Sequence, residues 1–295
     1  MTQAPDTKHE KPLVVITGAS SGIGEACAKY FHKEGHPLLL LSRRVDKMEK
    51  EFGKLKNILI AKVDVAKYDE MHAALEKAEK IYGPCDCLIN NAGVLFVGQM
   101  VYVFFSCFKK RKQRQQIKGR TKKRRMGNDV TSQCLVLFLK KNICVTLVVV
   151  LIGGKNTKMF GVLNGIKCVL KGMKERKQGT IINISSTAAK KLYDNMTMYC
   201  AVKAAVSTIS EGVRAEVAAS GVKVTTICPG VVQTEILESN KEKKALYDGF
   251  TGWVKSLPNG PLLPEDIADA CLYVYKLPKR ACIRELVIAP SGQTN

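Results

Sequence analysis

Short apolar runs alternate with longer amphipathic segments along most of the chain. Residues 13–17 are apolar up to a closing threonine and lead into a glycine-rich turn, a pattern typical of a strand buried on both faces of a parallel sheet. Similar runs predict further strands at 37–41, 57–63, 85–90, 180–185, 223–228 and 285–289. The segments between them predict helices at 22–34, 68–82, 161–174, 198–219 and 264–276, the first one closed by Gly35. Such alternation indicates βαβ units, so we expect an α/β fold: a single doubly wound domain with a mainly parallel seven-stranded sheet and helices on both faces.

Small and polar residues follow most of these predicted strands, at the edge where open α/β sheets bind their ligands. They are Gly18 to Gly24, Arg43 with Arg44, Asp64, Asn90 to Gly93, Ser185 with Ser186, and Pro229 with Gly230. Because the carboxyl ends of parallel strands meet at one edge of a sheet, we expect these residues to form one site.

The glycine-rich turn after the first strand has the spacing of a dinucleotide-binding turn. Gly18 allows a tight turn, Gly22 lets the backbone approach a pyrophosphate, and Gly24 lets the helix pack closely on the sheet. The backbone N–H groups at the helix start suit a diphosphate. The alternative is a turn that only connects strand to helix.

The second predicted strand ends in Ser42-Arg43-Arg44, where an enzyme that prefers NAD usually carries an acid. Two guanidinium groups suit a 2′-phosphate instead, so the sequence favours NADP(H) as the cofactor. The alternative is a pair of solvated arginines at the start of a helix.

Composition and charge set limits on the class of protein. The chain has 295 residues, 46% of them hydrophobic, which is enough for a buried core. Its net charge is +21, but residues 101–155 contribute +13 of this through fourteen Lys and Arg and one acid. The basic signal is therefore local, and we do not expect nucleic acid to be a partner of the whole domain.

Targeting signals and metal motifs are not evident in the sequence. The first twelve residues are polar, which argues against a secretory signal, and the apolar run at 145–152 is too short to span a bilayer. The eleven cysteines have no zinc-binding spacing, so we expect no metal site. These features predict a cytoplasmic protein with reduced thiols.

Residues 98–155 do not fit the alternating pattern. Apolar and basic blocks stand side by side there without a helical or strand period, and loops this long are unusual inside a compact domain. One interpretation is a nuclear address or an anion-binding segment, with the basic cluster 109–125 as its core. A second is a surface insertion of low order in a working enzyme. The third, which we favour, is a sequence foreign to the fold, such as translated non-coding sequence.

Tyr199 and Lys203 stand one helical turn apart, and Ser186 precedes the tyrosine by thirteen residues. With the glycine turn, this order describes a site that moves a hydride between a nicotinamide and a carbonyl or alcohol, while the Ser/Tyr/Lys set handles the accompanying proton. For the Tyr/Lys pair alone, an ordinary amphipathic helix is the alternative.

Taken together, these motifs resemble the short-chain dehydrogenase/reductase family, whose members have a single Rossmann-type domain. The resemblance covers about residues 12–97 and 159–290. Its motifs are Thr17 to Gly24, Asn90 to Gly93, Ser185-Ser186, Tyr199 to Lys203 and Pro229 to Thr234. The C-terminal segments 264–269 and 283–290 resemble the subgroup of NADP-dependent 3-hydroxy acid or serine dehydrogenases.

The resemblance implies a role for each site residue. Tyr199 would be the general acid/base, and Lys203 would lower the pKa of its phenol and bind the nicotinamide ribose. Ser186 rather than Ser185 would hold the substrate oxygen. The implied cofactor-binding residues are Gly18, Ser20, Ser21, Gly22, Ile23, Gly24, Arg43, Arg44, Asp64, Val65, Asn91, Ala92, Gly93, Tyr199, Lys203, Pro229, Gly230, Val232 and Thr234. The substrate would be a small hydroxy acid, alcohol or carbonyl compound, and the protein would form a homodimer or homotetramer.

The chain departs from the family at its catalytic asparagine. Aligned without gaps from Gly161, that position holds Lys158, while Asn156 is close but out of register. A catalytically impaired homologue, kept as a binding or scaffold protein or produced by a faulty gene model, is therefore the second hypothesis.

The remaining expectation concerns domain organisation. We expect a disordered N-terminus at 1–11, the dehydrogenase domain at 12–290 with a substrate lid at 235–260, and a tail at 291–295. Phe250 and Trp253 in the lid either face the substrate or pack the lid down.

Overall fold

The computed structural model describes residues 10–93, 157–236 and 244–294, so the insertion predicted at 98–155 lies outside the described residues, as does most of the N-terminal segment. The described strands form one sheet in the order β3-β2-β1-β4-β5-β6-β7, and every neighbouring pair is parallel. They are β1 (Leu13–Thr17), β2 (Leu38–Ser42), β3 (Ile58–Lys62), β4 (Cys85–Asn90), β5 (Gly179–Ile184), β6 (Val222–Pro229) and β7 (Glu285–Ile288). The predicted fold class is confirmed.

Helices connect these strands within the described residues. They are α1 (Gly22–Lys33), α2 (Val45–Phe52), α3 (Tyr68–Tyr82), α4 (Thr157–Glu175), α5 (Thr197–Glu216), α6 (Lys244–Lys255) and α7 (Pro264–Lys276). Two of them, α2 and α6, have no counterpart among the predicted helices. The predicted helix at 198–219 ends early because Ala218–Ser220 form a 3₁₀ turn and Gly221 adopts the left-handed conformation at φ 67°.

The sheet is buried between two helical layers because its strands are apolar on both faces. Every residue of β1, β2, β5 and β6 is buried, whereas the edge strands β3 and β7 are more exposed. Val14 packs with Phe31 of α1 and Ile267 of α7 on one face. Its neighbour Val15 packs with Met71 of α3 on the other face, where α4 and α5 also lie. Continuous apolar runs of this kind are expected of strands covered on both faces.

The order of the strands reverses beside β1, which pairs with β2 on one side and β4 on the other. In open α/β sheets this reversal opens a crevice outside the carboxyl ends of the strands. The loops that follow β1, β2 and β4 therefore come together there.

Candidate active site

The turn between β1 and α1 needs glycine at three positions. Gly18 and Gly22 have φ values of +69° and +56°, a region that side-chain-bearing residues rarely adopt. A Cβ on Gly18 would lie 2.8 Å from the Cα of Ala92, and one on Gly22 would lie 2.9 Å from Thr234 Cγ2. At Gly24 a Cβ would lie 2.4 Å from the Gly18 carbonyl oxygen. The turn is thus packed against the loop after β4 and the segment after β6.

Hydrogen bonds from the end of β1 fix the loop after β4. The buried Thr17 hydroxyl accepts the backbone N–H groups of Asn91 and Ala92, both at 3.0 Å. In return, Asn91 Nδ2 donates to the carbonyl oxygens of Thr17 and Gly18, both at 3.2 Å. Thr17 is not among the predicted site residues, although its side chain joins the two loops.

A first cavity of about 360 Å³ opens at this turn, along the carboxyl ends of β1 to β4. Its lining includes most residues predicted to bind the nucleotide. They are Gly18, Ser20, Ser21, Gly22, Ile23, Arg43, Arg44, Asp64, Val65, Asn91, Ala92, Gly93 and Thr234. Glu235 and Ile236 also line this cavity, and sequence reasoning missed both as site residues.

Arg44 lines the first cavity and is held there by three side-chain hydrogen bonds. Its Nε donates to the Ser20 hydroxyl at 3.1 Å, and its Nη2 donates to the Ser21 hydroxyl at 2.6 Å. Its Nη1 donates to Glu235 Oε2 at 2.9 Å. Arg43 is exposed and makes no side-chain hydrogen bond or ion pair with another described residue. The two arginines therefore differ: one is held in place and the other is free to meet an anion.

A second cavity of about 140 Å³ contains the predicted catalytic residues Ser186, Tyr199 and Lys203. Ser186 follows β5, while Tyr199 and Lys203 lie one turn apart on α5. Pro229, Gly230, Val232 and Thr234 line this cavity too, as do Ile23, Asn91 and Gly93. Because both cavities share Ile23, Asn91, Gly93 and Thr234, the predicted nucleotide and catalytic residues lie along one crevice.

The two serines after β5 have different contacts. The Ser185 hydroxyl donates to the Lys203 carbonyl oxygen and also hydrogen-bonds Ser207 Oγ, both at 2.9 Å. The Ser186 side chain hydrogen-bonds the Tyr199 side chain and accepts the Ala188 backbone N–H at 3.1 Å. Ser185 thus ties β5 to α5, and Ser186 is the serine next to the phenol.

The electrostatics of the Tyr/Lys pair differ from the sequence expectation. Burial raises the pKa of Tyr199 to about 12, and the hydrogen bond with Ser186 lowers it only in part. Burial lowers the pKa of Lys203 to about 8. The Lys203 ammonium lies 5.9 Å from the centroid of the tyrosine ring and donates to the Ile184 carbonyl oxygen at 2.6 Å. Desolvation dominates at the tyrosine, so the phenol is less acidic than expected.

Residues from the predicted tail and the predicted lid complete the second cavity, and only the tail residue was missed by sequence reasoning. Gln293, from the predicted tail, donates through Nε2 to the Tyr193 hydroxyl at 3.2 Å, and its Oε1 accepts the Val231 N–H at 3.0 Å. Phe250 and Trp253 line the cavity and contact each other with ring centroids 5.3 Å apart. No sequence motif could have singled out Gln293, because its partners lie far away in the chain.

Three expectations remain: the residue at the asparagine position, the metal site and the membrane span. Asn156 lies outside the described residues, and so does the side chain of Lys158, so the departure from the family at the asparagine position stays a prediction. Within the described part, no three His, Cys, Asp or Glu side chains are grouped so that they could hold a metal ion. None of the described helices combines the length and the apolar character needed to cross a bilayer.

Comparison with known protein families and sequences gives consistent matches over most of the chain. A family model described as short chain dehydrogenase matches residues 12–117 and 155–245. An uncharacterised oxidoreductase of Staphylococcus saprophyticus is 32% identical over 286 residues, which covers 96% of this chain and 97% of that protein. An uncharacterised oxidoreductase of Staphylococcus aureus is 29% identical over 280 residues and covers 94% and 96%.

Solved structures share the same architecture. The closed form of a serine dehydrogenase complexed with NADP⁺ matches with a TM-score of 0.72 and 26% identity over 96% of both chains. Serine dehydrogenase from Escherichia coli matches with a TM-score of 0.66 and 25% identity over 96% of this chain and 100% of that one. A variant of actinorhodin polyketide ketoreductase with NADPH has a TM-score of 0.72 at 22% identity, a likeness of fold alone.

Proposed function

Because the chain belongs to the short-chain dehydrogenase family, we propose that it is an NADP(H)-dependent oxidoreductase acting on a small hydroxy acid, alcohol or ketone. The observation that carries the proposal is the meeting of Ser186, Tyr199 and Lys203 in a cavity that shares its lining with the glycine-turn cavity. A nucleotide lying along the crevice would bring its reactive end to the tyrosine.

The residues of the first cavity fit a dinucleotide phosphate. Gly18 and Gly22 have positive φ and carry no Cβ, so the backbone N–H groups at the start of α1 would be able to approach a diphosphate. Arg43 and Arg44 would hold the 2′-phosphate and Asp64 with Val65 the adenine. Asn91 to Gly93 would line the middle of the cofactor. Pro229, Gly230, Val232 and Thr234 would hold the nicotinamide end. NADP⁺ in the related serine dehydrogenase supports this choice of cofactor.

Once bound, NADP(H) supplies or accepts a hydride, and the chain's own residues handle the proton. Ser186 would hold the substrate oxygen, and the Tyr199 phenol would give it a proton during reduction and take one back during oxidation. With a pKa of about 12 the phenol is protonated at neutral pH, which suits a proton donor. The Lys203 ammonium, with a pKa of about 8, would favour the phenolate that forms. This pairing favours carbonyl reduction near neutral pH.

The lining of the second cavity contains both apolar and polar side chains, which suits a small substrate that has both kinds of group. Met196, Phe250 and Trp253 form apolar lining, and Tyr193 with Gln293 adds hydrogen-bonding groups. A cavity of about 140 Å³ limits how much of a substrate it can enclose. These groups suit a short carbon chain that carries a carbonyl or hydroxyl group and one further polar group.

The competing hypothesis of an impaired homologue is less favoured by the geometry. The serine, tyrosine and lysine lie together, and the family's nucleotide turn is complete. The impaired homologue predicts NADPH binding without turnover, which separates it from the enzyme. The anion-binding interpretation concerns residues 109–125, which are outside the described part of the chain.

The test is to follow the absorbance of NADPH with the purified chain and a panel of ketones and 3-oxo acids. We expect consumption that falls by about 10²- to 10⁴-fold in Tyr199→Phe, because the proton donor is removed. Tyr273→Phe is the matched control, since Tyr273 is 59% exposed on α7 and lines neither cavity. Full activity in Tyr199→Phe, or NADPH binding without any turnover by the unmodified chain, would contradict the proposal.

A further inference from the structure

Glu235, which lines the first cavity, forms ion pairs with two cationic side chains. Its Oε2 lies 2.9 Å from Arg44 Nη1, and its Oε1 lies 2.7 Å from Lys47 Nζ. All three side chains are about half exposed. Glu235 directly follows Thr234 after β6, whereas Arg44 and Lys47 lie at the start of α2. The contact is therefore made by tertiary structure and is not a local pair along one helix.

The arginine in this contact also takes part in the nucleotide turn. Arg44 donates to the hydroxyl groups of Ser20 and Ser21, so its guanidinium joins the turn after β1 to the carboxylate after β6. Lys47 and Arg44 hold the pKa of Glu235 below its ordinary value, so the carboxylate is ionised at neutral pH. The negatively charged Glu235 carboxylate is thus paired with the same Arg44 guanidinium that a 2′-phosphate would bind.

We propose that the Glu235 carboxylate competes with the 2′-phosphate of NADP(H) for Arg44 and thereby sets how tightly the enzyme binds this cofactor relative to NAD(H). The inference rests on the proposed function for the identity of the cofactor. It assigns to Glu235 a role in cofactor selection that opposes the role of Arg43 and Arg44 at the end of β2.

The physical argument is a balance of charges at one site. A phosphate monoester brings up to about two negative charges, and at Arg44 it would meet the single negative charge of Glu235. The carboxylate must then move towards Lys47 or solvent, at a cost to phosphate binding. A cofactor without the 2′-phosphate meets no such repulsion. Arg43 has no ionic partner among the described residues, so phosphate binding is weakened by Glu235 and not abolished.

The opposite role for Glu235 would be to hold the Arg44 side chain in its contacts with Ser20 and Ser21, where it could bind phosphate. That role predicts weaker phosphate binding when the carboxylate is removed, whereas competition predicts tighter binding. The sign of the change in affinity therefore separates the two.

The experiment measures dissociation constants for NADPH, NADH and adenosine 2′,5′-bisphosphate by calorimetry, with the full chain and Glu235→Gln. We expect the constants for NADPH and the bisphosphate to fall roughly 3- to 10-fold, because one exposed ion pair and one like-charge repulsion are lost. The constant for NADH is expected to stay within about twofold. The gain in affinity for NADPH and the bisphosphate should shrink at high salt, since exposed charges are then screened. Glu235→Ala, which also removes the charge, is expected to give the same sign.

The matched control is Glu51→Gln. Glu51 is equally exposed and pairs with Lys29 at 2.7 Å, but it lines neither cavity. Glu51→Gln also removes one negative charge, here from α2, and the dissociation constants for all three nucleotides should stay unchanged. Nucleotide binding by the unmodified chain with equal or weaker NADPH binding in both Glu235 variants would overturn the inference and leave the proposed function intact. Failure of the unmodified chain to bind any of the three probes would overturn both.

Discussion

Replacing Lys203 with methionine is expected to stabilise the fold while removing turnover. Lys203 is only 6% exposed, and burial lowers the pKa of its ammonium from an ordinary value of 10.5 to about 8. One pKa unit corresponds to about 1.4 kcal/mol, so keeping this ammonium protonated in the folded state costs on the order of 3 kcal/mol at pH 7. Methionine has a similar length and carries no charge to desolvate.

Part of this gain is offset by a lost hydrogen bond. The Lys203 ammonium donates to the Ile184 carbonyl oxygen at 2.6 Å, and leaving a buried acceptor unpaired costs roughly 1–2 kcal/mol. We therefore expect Lys203→Met to raise the free energy of unfolding by about 1–2 kcal/mol at pH 7.

The pH dependence gives this prediction a second signature. Between about pH 8 and 10.5 the unfolded chain keeps a proton on Lys203 that the folded chain has lost. The contribution of Lys203 to stability therefore rises with pH across this window. Its full cost is present below pH 8, so the advantage of the methionine variant should disappear as the pH approaches 10.5.

The assay is urea unfolding of both proteins at pH 7 and pH 10, together with NADPH turnover. Lys223→Met is the control, because Lys223 is also buried and its pKa is also lowered by burial, but it lines neither cavity. It donates to the carbonyl oxygens of Tyr275 and Leu277 at the end of α7, so the control should keep its turnover. A Lys203→Met protein that is less stable at pH 7, or an advantage that does not change with pH, would refute the reasoning.

Two further substitutions test the two ends of the crevice. Gly22→Ala places a Cβ 2.9 Å from Thr234 Cγ2 at a φ of +56°, so we expect a loss of roughly 1–3 kcal/mol in stability and weaker NADPH binding by calorimetry. Gly212→Ala, on α5 with nothing within 4 Å of the added Cβ, is the control, and equal NADPH binding by both variants would contradict the account. Gln293→Ala removes the amide that binds Tyr193 and Val231, so we expect KM for a polar ketone to rise several-fold while kcat changes little. An unchanged KM would show that Gln293 does not contribute to substrate binding.

Local patterns explain why much of the fold could be predicted. β1 and β2 are apolar runs that end in a hydroxyl residue, and each is buried along its whole length as such runs predict. The glycine turn follows β1 directly, so its position relative to the sheet edge follows from the strand alone. The predicted helix at 68–82 has the same limits in the structure because its apolar period is long enough to recognise.

The elements that escaped prediction have weaker local signals. α2 has eight residues and buries only Met48 and Phe52, so its apolar period is too short to distinguish it from a polar loop. This i, i+4 pair was the one signal that could have revealed it.

The missed site residues are positioned by contacts between distant segments. Glu235 meets Arg44 across 191 positions of the chain, and Gln293 meets Tyr193 across 100. The pKa of Tyr199 was expected in the wrong direction for a related reason. Desolvation depends on how completely the fold buries the phenol, which the four-residue spacing to Lys203 does not reveal.

The most direct test of the account is a label-transfer experiment with NADPH that carries deuterium at both C4 positions of the nicotinamide. The unmodified chain and a ketone that it consumes are incubated with this cofactor, and the alcohol is analysed by mass spectrometry. We predict that the product carries one deuterium on the former carbonyl carbon and that Tyr199→Phe forms it at least about 100-fold more slowly. An alcohol without deuterium, or equal formation by the Tyr199→Phe variant, would contradict the central claim.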